Sequence, residues 1–175
     1  MEHVLSRAAS IPVLISMIMA GMVMVLVLEY LTLPGKRRVY GIVLCMYLAV
    51  YLTVTFLVRV PTAEARIRLT PFWTVRAAFS WADGKLTLRS LRFFREIVLN
   101  MVLFFPLGML LSGWCRHRGR VLILGIALSV ATELIQYVLH LGLMETDDVL
   151  NNTLGLIMGM MAYQVLHETG SALRA

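Results

Sequence analysis

Apolar residues in this chain come in long runs separated by short charged turns, unlike the brief alternations of a soluble fold. The runs at residues 11–31, 40–58, 97–114, 121–144 and 149–167 each approach the ~20 residues needed to cross the hydrocarbon of a bilayer. The pattern predicts an all-α integral membrane protein, a bundle of about five transmembrane helices with the third and fifth short. Residues 60–96 form the longest polar segment, in which basic residues alternate with Phe72, Trp73, Phe79, Trp81, Phe93 and Phe94. Such a mixture suits a loop lying at headgroup level between the second and third spans. Pro71 stops any helix there, and Asp83-Gly84 reads as a turn. Pro106 predicts a kink in the third span that frees a carbonyl near Val102 and opens space in the bundle. The expected organisation is a two-helix membrane anchor over residues 1–59, the loop over 60–96, a three-helix core over 97–167 and a tail over 168–175, folded as one unit.

Composition agrees: 59% of the 175 residues are hydrophobic and 15% charged, with a mean hydropathy of +0.81. That leaves no room for a soluble catalytic domain. The first apolar run is too long for a cleavable signal, lacks a small-residue cleavage site and is followed by Lys36, Arg37 and Arg38, so it is expected to remain as an anchor. The net charge of +6 does not point to nucleic acid, because the basic residues flank spans, where they set topology or meet anionic lipid. Cys45 and Cys115 have no spacing that suggests a metal site or a disulfide framework.

The charge count leaves orientation nearly balanced. Seven of the sixteen Lys and Arg fall in the 36–38 turn, the 116–120 loop and the C-terminus, against nine in the N-terminal tail, at Arg59 and in the long loop that follows it. The first group is clustered tightly against span ends, where the positive-inside bias acts most directly. The expectation is therefore an N-terminus outside and a C-terminus in the cytoplasm of a multi-pass cell-membrane protein. In either orientation the long loop and the acidic loop at residues 145–148 share one side.

Chemistry concentrates between residues 129 and 159. Ser129, Thr132, Glu133, Gln136 and His140 fall within a ~100° arc of one helix face. Asp148, Asn151, Asn152, Gly155 and Gly159 repeat the pattern on the next span, with the two glycines letting these backbones approach. Ionisable groups inside a span are functional candidates because their burial is costly. Glu133 is the candidate general base, with Asp148 and His140 as further catalytic candidates. Arg68, Arg95, Asn100, Gln136 and Asn152 are candidates for holding a phosphate or a sugar. The expected arrangement is a ladder in one outward-opening cavity: Asp148 and His140 near the surface, Asn152, Gln136 and Asn100 in the middle, and Glu133 deepest. Glu145, Asp147, Asp148 and Glu133 offer hard oxygen ligands to a divalent cation, but without a known ligand spacing no metal is assigned and the cofactor is left open. No Gly-rich phosphate loop, HExxH pair or GxSxG elbow is present.

Four separated pieces resemble the VanZ-like family of bacterial membrane proteins, named for a member associated with teicoplanin resistance. They are Leu69-Thr70-Pro71-Phe72; Arg95-Glu96 with Asn100, Phe104, Pro106 and Gly108; Glu133-Leu134-Ile135-Gln136; and Asp148 with Asn152-Thr153-Leu154-Gly155. The resemblance covers residues 66–166. Many members have an Asn where this chain has Arg68, an Asp where it has Glu145, and an Arg shortly before the acidic loop where it offers Leu143 and Met144. If that Arg pairs a carboxylate or phosphate, Arg95 or Arg68 takes its place here. The resemblance implies a cell-envelope role with a link to glycopeptide resistance and places the long loop outside. By analogy with lipid headgroup-modifying enzymes, it raises the expectation of action on a membrane lipid or a lipid-linked cell-wall precursor. The alternatives are a non-catalytic binder or chaperone of such a precursor or of a glycopeptide target, and, on thinner grounds, a small ion carrier.

Overall fold

The structure, a computed structural model, describes residues 36–57, 59, 66–79, 87–115 and 117–172. The first predicted span at 11–31 and the Asp83-Gly84 turn lie outside the described residues. Four helices are long and apolar enough to cross a membrane, with spans at Arg37–Leu57, Ser90–Trp114, Arg118–Val138 and Thr146–Thr169. They belong to α1 (Lys36–Leu52, continued by a π-helical turn at Thr53–Leu57), α3 (Leu88–Trp114), α4 (Arg118–Val138) and α5 (Thr146–Ala172). A six-residue helix, α2 (Trp73–Ala78), and two short strands, β1 (Arg66–Arg68) and β2 (Leu143–Glu145), complete the described elements. The chain is an all-α membrane protein.

Three helix boundaries differ from the hydropathy reading. The third span is a 27-residue helix that begins at Leu88, because the Thr87 side chain accepts the Ser90 amide and caps it. The last part of the expected loop is therefore helix. The fifth span is also 27 residues, with Asp147 and Asp148 in its first turn, where acids complement the helix dipole. The fourth span stops at Val138, although apolar residues continue to Met144. Leu141 N–H donates to Gln136 C=O at 2.8 Å and His140 N–H to Tyr137 C=O at 3.2 Å, with His140 at φ 56°. This bond pair, 6→1 with 5→2, closes a helix around a left-handed residue.

The most extensive helix contact is α3 against α5, which corrects the expected role of the glycines. A Cβ on Gly155 would sit 2.1 Å from Met101 O, and one on Gly159 would sit 2.0 Å from Phe105 O. Both glycines face α3 rather than α4. Gly108 reciprocates, its Cβ position being 2.2 Å from Leu156 O. Each obstacle is backbone, which cannot swing aside as a side chain does. In hydrocarbon, where apolar surface gains little by hiding from lipid, such close backbone packing is a main source of helix association. Around this pair a buried core forms from Tyr40, Tyr47 and Tyr51 of α1, Phe104, Leu107 and Leu110 of α3, and Leu156 of α5. Tyr51 meets Phe104 edge to face at 5.7 Å. Ile42, Met46, Ile123, Leu124 and Met161 are exposed and face lipid in this reading.

α3 runs unbroken through Pro106, whose ring leaves the Val102 carbonyl without its usual amide. Beside it, Val98, Met101, Val102, Phe105 and Met158 line an apolar groove of about 350 Å³.

Gly155→Ala and Gly159→Ala should each destabilise the purified protein in detergent by about 1–3 kcal/mol, the usual range for overpacking. Gly119→Ala, where a Cβ meets nothing within 4 Å, should not. Equal melting temperatures for all three variants would show that α3 and α5 do not pack through these glycines.

Candidate functional site

At one end of the bundle the long loop is tied to the acidic loop. β1 pairs in parallel with β2, matching Arg66 to Leu143, Ile67 to Met144 and Arg68 to Glu145. The Asp147 carboxylate accepts the Phe72 amide at 2.5 Å and the Thr74 amide at 2.7 Å. Pro71 and the left-handed Phe72, at φ 60°, turn those two N–H groups toward it. Asp147 is 2% exposed, so α2 hangs on a buried, charge-assisted cap.

This tie positions Trp73. Its indole Nε1–H donates to Glu145 Oε2 at 2.8 Å, the Arg68 guanidinium lies 3.7 Å from its ring centroid, and Phe93 meets it edge to face at 5.0 Å. Arg68 Nη1 lies 3.8 Å from Glu145 Oε1. These groups bound an open cavity of about 600 Å³, together with Leu88, Arg92, Glu96 and Leu143. Leu88, Arg92 and Glu96 follow at four-residue spacing along α3, and Asn100 continues the same face one turn deeper. Burial pushes the Glu145 carboxyl above the ordinary carboxylate range; the Trp73 hydrogen bond and the Arg68 charge oppose the rise, while Glu96 and Asp147 add to it.

Glu133 stands directly behind Glu145. It is 3% exposed, and its Oε2 accepts the Glu145 backbone N–H at 3.1 Å. Its expected depth is corrected: because α4 ends at Val138, Glu133 lies five residues from the helix end and at the level of β2. The deeper pair is Asn152 with Ser129, joined by a 2.9 Å hydrogen bond between Asn152 Nδ2 and Ser129 Oγ. Asn100 Nδ2 donates to Asp148 Oδ1 at 2.6 Å. Thr132 goes to α1, where the Tyr51 hydroxyl lies 2.7 Å from its Oγ1. Gln136 is 2% exposed. Asn151 Nδ2 and Asn152 Oδ1 are buried with no hydrogen-bond partner among the described residues.

Two candidates stand apart. His140 is exposed in the turn that ends α4, not on the Glu133 face, because the helix has already closed. Arg95 is exposed on α3; its charge acts on Glu96, but it is outside the cavity lining. The cation near the deeper acids is Arg59, which no motif singled out. Its Nη1 would lie 3.2 Å from a Cβ on Gly142, and its charge reaches Glu96, Glu133 and Asp148. The only sequence signal was a lone Arg at the end of a span; the fold brings it near Gly142, just before the loop where the resemblance leads one to expect an Arg. No three His, Cys, Asp or Glu side chains among the described residues converge in a metal-holding group.

A family model described as VanZ/LLP1 matches residues 39–167. The chain belongs to the VanZ/LLP1 family. The match begins at α1, so the family unit is larger than the resemblance over residues 66–166 indicated. Protein VanZ of Enterococcus faecium is 32% identical over 72 residues, covering 40% of this chain and 45% of that protein. The chain thus aligns with less than half the length of this relative. No solved structure matches.

Titrating the carboxyls of 13C-labelled protein in micelles, with Glu145 assigned by its loss in Glu145→Gln, should give a Glu145 midpoint above the ordinary carboxylate range. Trp73→Phe and Arg68→Gln should each raise it further, because each removes a partner of the charged form. An unchanged or lowered midpoint in both variants would mean that neither group holds Glu145 in solution.

Proposed function

We propose that this VanZ-family protein acts on a lipid or polyprenyl-linked headgroup at the outer leaflet of the cell membrane, with the cavity beneath α2 as the entry point. The observation that carries this reading is a carboxylate of raised pKa, Glu145, on the wall of an open cavity at the end of a membrane bundle. A cavity-wall carboxyl whose pKa is raised by burial is suited to proton transfer to or from a headgroup hydroxyl. In this reading Glu145 meets the substrate and Glu133 behind it positions the β2 backbone, so the base role first expected of Glu133 passes to its neighbour. The arginines of the cavity wall offer charge to a phosphate, while Asn100 holds Asp148 in place. The family's association with teicoplanin resistance fits a target in the envelope, and the proposed orientation has the N-terminus outside and the C-terminus cytoplasmic.

Glu145→Gln should abolish turnover of labelled envelope lipids by the purified protein, by about 100-fold or more. Glu133→Gln should lower it less, since the amide oxygen still accepts the Glu145 N–H. The reverse ranking would return the base role to Glu133. Saturable lipid binding with no product from wild type would favour the binder or chaperone.

Orientation has its own test. Single cysteines at Ile67 and His117, in a background without Cys45 and Cys115, are treated with a membrane-impermeant thiol reagent on intact cells. The Ile67 variant should label and the His117 variant should not; the opposite pattern inverts the topology.

A further inference from the structure

The charges that line the cavity are balanced, and their arrangement narrows the ligand. Arg68 and Glu145 are already partners at 3.8 Å, and Arg68 is further held on the Trp73 ring. That leaves Arg92 and Glu96, one helical turn apart on α3, both exposed and both lining the cavity. Residues at this spacing have Cβ atoms about 5–6 Å apart. Here they present one cation and one anion side by side to an opening walled by Trp73 and Phe93. A diphosphate carrier brings two or more negative charges to a wall where Glu96 and Glu145 offset Arg68 and Arg92, so no net positive charge favours it; an uncharged sugar would leave both charges desolvated without reward. A headgroup with a phosphodiester and an amine two carbons away complements both.

We propose that this cavity selects a zwitterionic phosphodiester headgroup bearing a primary amine, with Arg92 receiving the phosphate and Glu96 the ammonium group. The aromatic wall adds cation–π attraction for the amine, and a cavity of about 600 Å³ lies within the usual size of small-molecule sites. The inference rests on the reading that the cavity takes a lipid headgroup and specifies which one. Exposed pairs one turn apart also occur as plain surface ion pairs on helices, so the test separates recognition from decoration.

Binding to the purified full-length protein in detergent is measured with short-chain phosphatidylethanolamine, phosphatidylglycerol and a polyprenyl diphosphate, and with free phosphoethanolamine. Phosphatidylethanolamine should bind about ten-fold more tightly than phosphatidylglycerol, the step expected for one well-placed charged contact. Glu96→Gln should erase that preference by weakening phosphatidylethanolamine alone, while Arg92→Gln should weaken both lipids. The exchanged pair, Arg92→Glu with Glu96→Arg, keeps a helix-surface ion pair but inverts its order along the cavity; it should lose the preference while melting like wild type. Tighter binding of phosphatidylglycerol or the diphosphate, or an exchanged pair that binds like wild type, would overturn the proposal. Diphosphate binding with turnover would do so while leaving the headgroup reading intact; no binding of any lipid would remove both. Free phosphoethanolamine binding as tightly as the lipid would uphold the charge recognition and assign it a soluble source.

Discussion

The buried carboxylate of Asp147 is the interaction on which the site depends. Its two oxygens hold the amides of Phe72 and Thr74, and hydrogen bonds to a charged acceptor are each worth about 1.5–3 kcal/mol. Without them a six-residue helix beginning after a left-handed phenylalanine has little to hold it, since helices of that length do not persist alone in water. Through α2 the same carboxylate sets Trp73, and Trp73 sets both the Glu145 carboxyl and the Arg68 guanidinium. Three groups of the cavity wall thus inherit their positions from one residue in the first turn of α5.

Asp147 is placed for this by the close packing of α5 against α3. Gly155 and Gly159 bring the two backbones into contact, and the Asn100 to Asp148 hydrogen bond lies on the same interface one to two turns nearer the site. Backbone contact fixes axial register more sharply than interdigitated leucines, which can slide between rotamers. The carbonyls of Met101 and Phe105 act as stops. Register matters because α3 supplies Arg92, Phe93 and Glu96 to the cavity while α5 anchors the opposite wall.

Most of this was legible as elements and little of it as connections. Four apolar runs are spans, and Glu133 stood out because a carboxylate in the middle of an apolar run has no cheap explanation. The ends were misread for a physical reason: Leu139, Leu141, Leu143 and Met144 are as apolar as the helix before them, so hydropathy passed through a stop made only of backbone hydrogen bonds. That error put Glu133 too deep and His140 on the wrong element. Arg59 and Asp147 were undervalued because each lies at the edge of a span, where a charge ordinarily means interface. Their partners, acids at 96, 133 and 148 that feel the Arg59 charge and two amides 73 to 75 positions from Asp147, have no local signature. The glycines were recognised as close-packing residues, but a helical wheel alone did not say which neighbour they meet.

The arrangement of the two glutamates bears on how a membrane protein can keep a reactive acid at an interface. A carboxylate deep in hydrocarbon must be neutral or paired, while one in open water has an ordinary pKa and little use as a proton carrier near neutrality. Glu145 sits between these limits: 13% of its side chain is exposed, yet burial still raises its pKa. β2 holds it there, and β2 is held in turn by β1 on one side and by Glu133, which accepts its amide, on the other. The buried glutamate therefore gains a function without touching a ligand. By accepting the strand-end amide, it holds the second carboxyl beside Trp73 and Arg68, which oppose the rise in its pKa.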